Sequence, residues 1–134
     1  MTRFAIDAPT ALRIVRERVH VGEHQLVSTG SLRSRAMQLL YDEVRAGTLD
    51  EAEGRAQLEA VAALKVRLLA DRVSRSVAWR IAARLDWAEI APAELLAVAS
   101  LQADVLVTDD ERLAAAAEGV VERMRWVELA SALA

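Results

Sequence analysis

Residues 92–114, PAELLAVASLQADVLVTDDERLA, carry the pattern that decides the fold. Residues 93–102 are apolar nearly all round, which predicts a helix buried on every side. Val105-Leu106-Val107-Thr108 follows at once. It is continuous and largely β-branched, as in a strand covered on both faces of a parallel sheet. Asp109 and Asp110 then lead into a second helical stretch, 109–117, which Gly119 stops.

The same alternation recurs towards the start of the chain. Phe4-Ala5-Ile6-Asp7 is a short apolar run ending in an acid, and it predicts another buried strand. Pro9 follows, and Ala11, Leu12, Val15 and Val19 then recur at helical spacing until Gly22. Residues 25–28 are expected as a short strand. Ser31 is placed to cap a helix with Leu32, Ala36, Leu39, Leu40 and Val44 on one face, closed by Gly47. Thr48-Leu49-Asp50-Glu51 has the spacing of a capping box and predicts a helix over 48–69. Another helix is expected over 74–87, with Val77, Ile81 and Leu85 in register. Pro92 suits the first turn of the buried helix. Arg125-Trp126-Val127 is expected as the last strand. Strands separated by helices imply an α/β fold with a parallel sheet and helices on its faces. No repeat, low-complexity linker or boundary interrupts residues 1–134, which are expected to form a single domain.

Composition narrows the function classes. The chain has 134 residues, of which 54% are apolar, so it can bury a core. It has no cysteine, which excludes disulfides, thiolate zinc sites and cysteine nucleophiles. All basic residues except Lys65 are arginine, and the formal net charge is −3. That balance gives no broad footprint for nucleic acid, although it leaves room for a local patch. Aromatics are only 4%, and base-stacking platforms, which need exposed rings, are not expected. Charges at Arg3, Asp7, Arg13 and Arg16 leave no signal-peptide core. No apolar run approaches ~18 residues, so no membrane span is expected. The expectation is a soluble cytoplasmic protein with no membrane partner.

In open parallel sheets, ligands bind at the carboxyl ends of the strands. Two strands here end in acids, Asp7 and the pair Asp109-Asp110. If these strands are neighbours, three carboxylates converge at one edge. Carboxylate oxygens are hard ligands that suit Mg²⁺ or Mn²⁺, and such an ion can activate water and neutralise a phosphodiester transition state. An Asp after a strand is equally well placed as a helix N-cap, worth about 1 kcal/mol. Spacing alone leaves both readings open.

Taken together, FAIDA at 4–8, LRSRAMQLL at 32–40 and the stretch at 92–114 resemble a PIN domain, more narrowly the small VapC-type toxins of bacterial toxin–antitoxin pairs. The resemblance spans essentially the whole chain. It implies a three-layer α/β/α fold whose central parallel sheet has about 4–5 short strands. It also implies a Mg²⁺- or Mn²⁺-dependent endoribonuclease, usually a homodimer, blocked by an antitoxin protein. Asp7 sits at the family's first acidic position. Thr108 and Asp110 match its Thr-x-Asp element, with Asp109 as an additional carboxylate. On this resemblance Asp7 and Asp110 are the metal ligands, with Asp109 and Thr108 in support.

Two of the family's four acids are replaced. Arg35 stands where the resemblance wants a Glu on the helix after the second strand, and Pro92 where it wants an Asp opening the buried helix. Arg35 puts a cation where an anionic ligand would stand, so it is expected to form a bidentate pair with Asp7 or Asp110. Divalent-ion affinity is then expected to be poor. Glu89 and Glu94 are the substitutes within reach. Glu94 lies two places along the helix from Pro92, turned about 200° away, and suits a first-turn acid favoured by the helix dipole. Glu89 precedes the helix and can swing inward.

Other motifs point elsewhere. His20-Val21-Gly22-Glu23-His24 matches the inverted zinc-protease pattern H-x-x-E-H, which needs a continuous helix that Gly22 interrupts. Phosphate loops and nucleophile elbows are absent from the sequence. Ser28, Thr29 and Ser31 have no base beside them and suit capping. Arg72, Arg75, Arg80 and Arg84 flank Trp79 and approach Trp87. They are either a phosphate-contacting face or a solvated face balanced by Asp71 and Asp86, the tryptophans packing in the core or a dimer seam. Three function classes stand: a metal-dependent endoribonuclease with a reduced site, a non-catalytic PIN module binding RNA or protein, and a purely structural dimer.

Overall fold

The computed structural model describes all 134 residues. Five parallel strands form one sheet in the order β3-β2-β1-β4-β5. They are β1 (Arg3–Ile6), β2 (Gln25–Thr29), β3 (Arg67–Leu69), β4 (Val105–Val107) and β5 (Glu122–Met124). Seven helices alternate with them: α1 (Ala8–Arg16), α2 (Leu32–Ala46), α3 (Glu51–Ala63), α4 (Arg72–Leu85), α5 (Ala91–Gln102), α6 (Glu111–Ala117) and α7 (Trp126–Ala132). No helix is long and apolar enough to cross a membrane.

Period-two alternation along the strands divides the core into two layers. Phe4, Ile6, Leu26, Val105 and Val107 point to one side, where α1, α2, α3 and α7 cover them. Ala5, Val27 and Leu106 point to the other, against α4, α5 and α6. The sheet thus has helices on both faces, as the sequence pattern predicts. Helix α5 explains why a wholly apolar segment folds stably. Ala93 and the run Leu95, Leu96, Ala97, Val98 and Ala99 are all buried, wedged between the sheet and α4.

Three sequence expectations need correction. The helix expected over 48–69 is shorter, and its tail is β3. Asp50, not Thr48, caps α3: its carboxylate accepts from the Glu53 N–H at 2.7 Å. The Thr48 hydroxyl donates instead to the Glu43 carbonyl. Leu64 then turns to extended geometry, and Arg67 to Leu69 pair with Val27 to Thr29 at a sheet edge.

The last strand lies at Glu122–Met124 rather than 125–127. Trp126 opens α7, because its indole is buried and the Glu128 carboxylate returns to the Arg125 N–H at 3.1 Å, as in a capping box. Of the two placements expected for Trp79, the core is excluded, since the ring is 73% exposed on α4, while Trp87 is half-buried.

Smaller shifts have local causes. Helix α4 starts at Arg72, two residues before its expected position, because Asp71 accepts from the Ser74 N–H. Its end comes at Asp86 with φ +54°, a left-handed cap. Ser31 occupies the N-cap of α2 without making a side-chain cap.

Candidate active site

Strands β1 and β4 pair in parallel with Ile6 opposite Val107. Asp7 and Thr108 therefore leave the sheet side by side at its carboxyl edge, as the site argument requires. Thr108 is fully buried, and its hydroxyl donates to Asp7 Oδ2 at 2.7 Å. The same hydroxyl oxygen accepts from the Asp110 N–H at 3.0 Å. Asp7, Thr108 and Asp110 form one continuous hydrogen-bonded chain.

Both acids also cap helices. Asp7 Oδ1 accepts from the Thr10 N–H at 2.9 Å, and Asp110 Oδ1 accepts from the Leu113 N–H at 3.0 Å. Each carboxylate sits at a helix N-terminus, where the dipole favours negative charge. The capping role is therefore real, and it coexists with whatever lone pairs remain for a ligand.

Asp109 goes another way. Its Oδ1 accepts from the Trp126 N–H at 2.9 Å, and Oδ2 lies 3.8 Å from Arg13 Nη1. All three carboxylates line the same cleft, but Asp109 stands outside the Asp7–Thr108–Asp110 hydrogen-bonded chain and fastens α7 to β4.

These residues open onto a cleft of about 790 Å³, also lined by Ser28, Thr29, Arg35, Glu89, Pro92 and Arg112. Arg35 is exposed and makes no ion pair with Asp7 or Asp110, contrary to the expected bidentate bridge. The reason is geometric and electrostatic. Three of the four carboxylate oxygens already accept hydrogen bonds, and an exposed ion pair gains little over hydration.

Pro92 lies in the first turn of α5 on the cleft wall. Glu89 is on the rim and exposed, whereas Glu94 does not line the cleft. No three His, Asp or Glu side chains come together anywhere in the fold as a ready-made metal cluster.

The zinc-protease pattern dissolves in three dimensions. Residues 20–24 are not helical, and His24 Nδ1 accepts from the Thr2 N–H at 2.9 Å while its ring edges onto Phe4. Ser28 donates to the Ile6 carbonyl at 2.6 Å, and Thr29 shares a hydrogen bond with Ser31. None of these hydroxyls is set beside a base.

Sequence reasoning missed three contributors. The Thr10 hydroxyl donates to the Val107 carbonyl at 3.2 Å, tying α1 to β4. Arg123 Nε donates to the Thr108 carbonyl at 3.1 Å. Arg112 lines the cleft with its guanidinium 4.3 Å from the Trp87 ring centroid, a cation–π contact. Only Arg112, two places after Asp110, carried a signal, namely its position in the first turn after the acid.

No family model and no curated protein sequence matches the chain. Solved structures match it along nearly its whole length. The crystal structure of PAE2754 from Pyrobaculum aerophilum superposes with a TM-score of 0.78 at 23% identity, covering 98% of this chain and 95% of that one. VapBC2 from Rickettsia felis, bound to a DNA fragment from their promoter, gives 0.64 at 5% identity over 92% and 98%. VapBC-1 from nontypeable Haemophilus influenzae gives 0.61 at 15% identity over 93% and 98%. At these identities the likeness is one of fold. The chain has the PIN-like three-layer α/β/α arrangement, with a five-stranded parallel sheet.

Proposed function

We propose that the chain is a VapC-like protein of the PIN nuclease kind whose acidic site is reduced to Asp7 and Asp110, so that metal-dependent RNA cleavage is weak or lost. The fold shared with VapBC assemblies supports the kind. The observation that supports the reduction is that the cleft holding the Asp7–Thr108–Asp110 chain is lined by the unpaired Arg35 and by Pro92, while its other carboxylates, Asp109 and Glu89, are respectively engaged with the Trp126 N–H and exposed on the rim.

A resident Mg²⁺ or Mn²⁺ fits this donor set poorly. Mg²⁺ gives up water reluctantly. Both Asp7 oxygens already accept hydrogen bonds, one Asp110 oxygen caps α6, and two guanidinium groups line the same space. Asp109 supports α7 rather than an ion, and Thr108 orients the two acids. What a phosphodiester backbone would meet here is Arg35 and Arg112, which suit phosphate oxygens.

An antitoxin protein and a second copy of the chain are the partners this reading implies, in a cytoplasmic setting. The competing reading, a non-catalytic module for RNA or protein, is favoured by Arg35 and Pro92 on the cleft wall, and one experiment separates them. Cleavage of a mixed RNA pool is measured with Mg²⁺ or Mn²⁺ for the wild type, Asp7→Asn, and the double variant Arg35→Glu, Pro92→Asp. The expected outcome is little or no cleavage by the wild type and a gain in the double variant. Strong metal-dependent cleavage by the wild type, abolished in Asp7→Asn, would end the reduced-site reading. No gain in a folded double variant would favour the binding module.

A further inference from the structure

Helix α4 presents Arg72, Arg75, Arg80 and Arg84 on its exposed side around Trp79, an indole left 73% in water. Arg72, Arg75 and Trp79 follow at spacings of three and four and share a face; Arg80 lies beside it, and Arg84 stands at its far edge, half a turn round from Arg75. None of these arginines has a carboxylate within ion-pairing distance. Arg75 donates to the Ala70 carbonyl at 3.0 Å, while the other three make no side-chain hydrogen bond. The two flanking acids stand at the helix ends, and Asp71 is occupied in capping Ser74. A chain of net charge −3 thus gathers four arginines on one helix beside an exposed ring, with only Arg75 feeling a nearby acid, Asp71.

A second copy is a poor occupant for this face. A two-fold axis passing through this face would bring the arginines of the two copies close together, and that juxtaposition of like charge is unfavourable. The charge calls for a polyanion, and the exposed indole calls for a flat ring.

We propose that the outer face of α4 docks single-stranded nucleic acid, with Arg72, Arg80 and Arg84 on phosphates and Trp79 stacked on a base. The C-terminal end of α4 approaches the cleft. Trp87, just past the end of α4, lies under the cleft-lining Arg112, and Glu89 is already on the cleft rim. A strand held on α4 is therefore led towards Arg112 and Arg35. Nothing on this face selects a sugar or a base edge, so binding is indifferent to sequence. The proposal does not rest on cleavage.

The test is fluorescence anisotropy of the full chain with a labelled oligouridylate of about a dozen nucleotides, at low salt with EDTA present. The exposed position of Trp79 makes its variants foldable, which circular dichroism checks. Trp79→Ala is expected to weaken binding roughly 5- to 150-fold, the range for loss of one stacked base, and Trp79→Phe to retain most of the affinity. Replacing Arg72, Arg80 and Arg84 together by Gln should flatten the salt dependence by about two in log–log slope. The indole emission should be quenched on binding. Absence of binding by the wild type, or equal binding by all variants, overturns the proposal. So does competition by polyglutamate as effective as that by unlabelled RNA, which would make the face an acidic-peptide site. A dimer that Trp79→Ala dissociates with RNA affinity unchanged would likewise assign the face to a second copy. EDTA keeps these outcomes separate from the fate of the cleavage reading.

Discussion

The Thr108 hydroxyl donates to Asp7 Oδ2 at 2.7 Å across 101 residues of chain. It is the single contact that ties the first strand's acid to the last acid of the cleft. Thr108→Val keeps the shape and removes both the donor to Asp7 and the acceptor for the Asp110 N–H. Leaving those groups with one partner fewer at a buried hydroxyl position should cost about 1–3 kcal/mol in urea unfolding. Thr108→Ser should recover most of it, and a midpoint unchanged in Thr108→Val would refute the contact's structural role.

Gly54 marks where α3 crosses α2. A Cβ built there meets Val44 Cγ2 at 2.8 Å. Alanine gains about 0.5–1 kcal/mol in a helix interior over glycine, but overpacking of this kind costs about 1–3 kcal/mol, and a valine methyl has little freedom to yield. Gly54→Ala is therefore expected to destabilise. In a double-mutant cycle with Val44→Ala the cost should largely vanish, and a simple sum of the two single effects would count against the steric account.

Asp109 serves α7 through the Trp126 N–H. Asp109→Ala should lower stability by about 1 kcal/mol, as for a lost cap. Hydrogen exchange should speed up first in α7. If Asp109 instead belongs to an ion site, Mn²⁺ affinity measured by calorimetry will fall in this variant; no change is expected.

Two carboxyls titrate below their usual range. Asp71 is lowered chiefly by the Ser74 N–H, and Glu128 by hydrogen bonds from Arg125. A folded-state value below the unfolded one contributes stability that is complete above the ordinary carboxylate range, and it is lost as pH falls through the lowered values. Urea midpoints should therefore drop on acidification in that window. In Asp71→Asn part of that drop should be absent, and carbon-detected titration of the wild type should place both groups below reference peptides.

Much of the fold is legible in the sequence where burial is two-sided. The runs 4–7 and 105–108, and the apolar helix at 93–102, have no alternative placement in water, so β1, β4 and α5 follow from composition and period alone. Edge strands are different. β3 and β5 have three residues each and pair on one side only. Their strand character comes from a neighbour's hydrogen bonds rather than their own pattern, which is why 67–69 looks like the tail of a helix and 122–124 is passed over.

By itself the sequence determined that acids end two buried strands, that Arg35 and Pro92 stand where the resemblance wants carboxylates, and that basic residues cluster at 72–84. Only the tertiary structure decided what those residues face. Strand order set Asp7 beside Thr108, while the Trp126 N–H engaged one oxygen of Asp109 at the cleft wall. Arg35 stayed unpaired, and Trp79 was left outside the core. The reason is common to all four. A residue's chemistry is local, but its partners are fixed by which elements the core brings together, and that packing is a property of the whole chain.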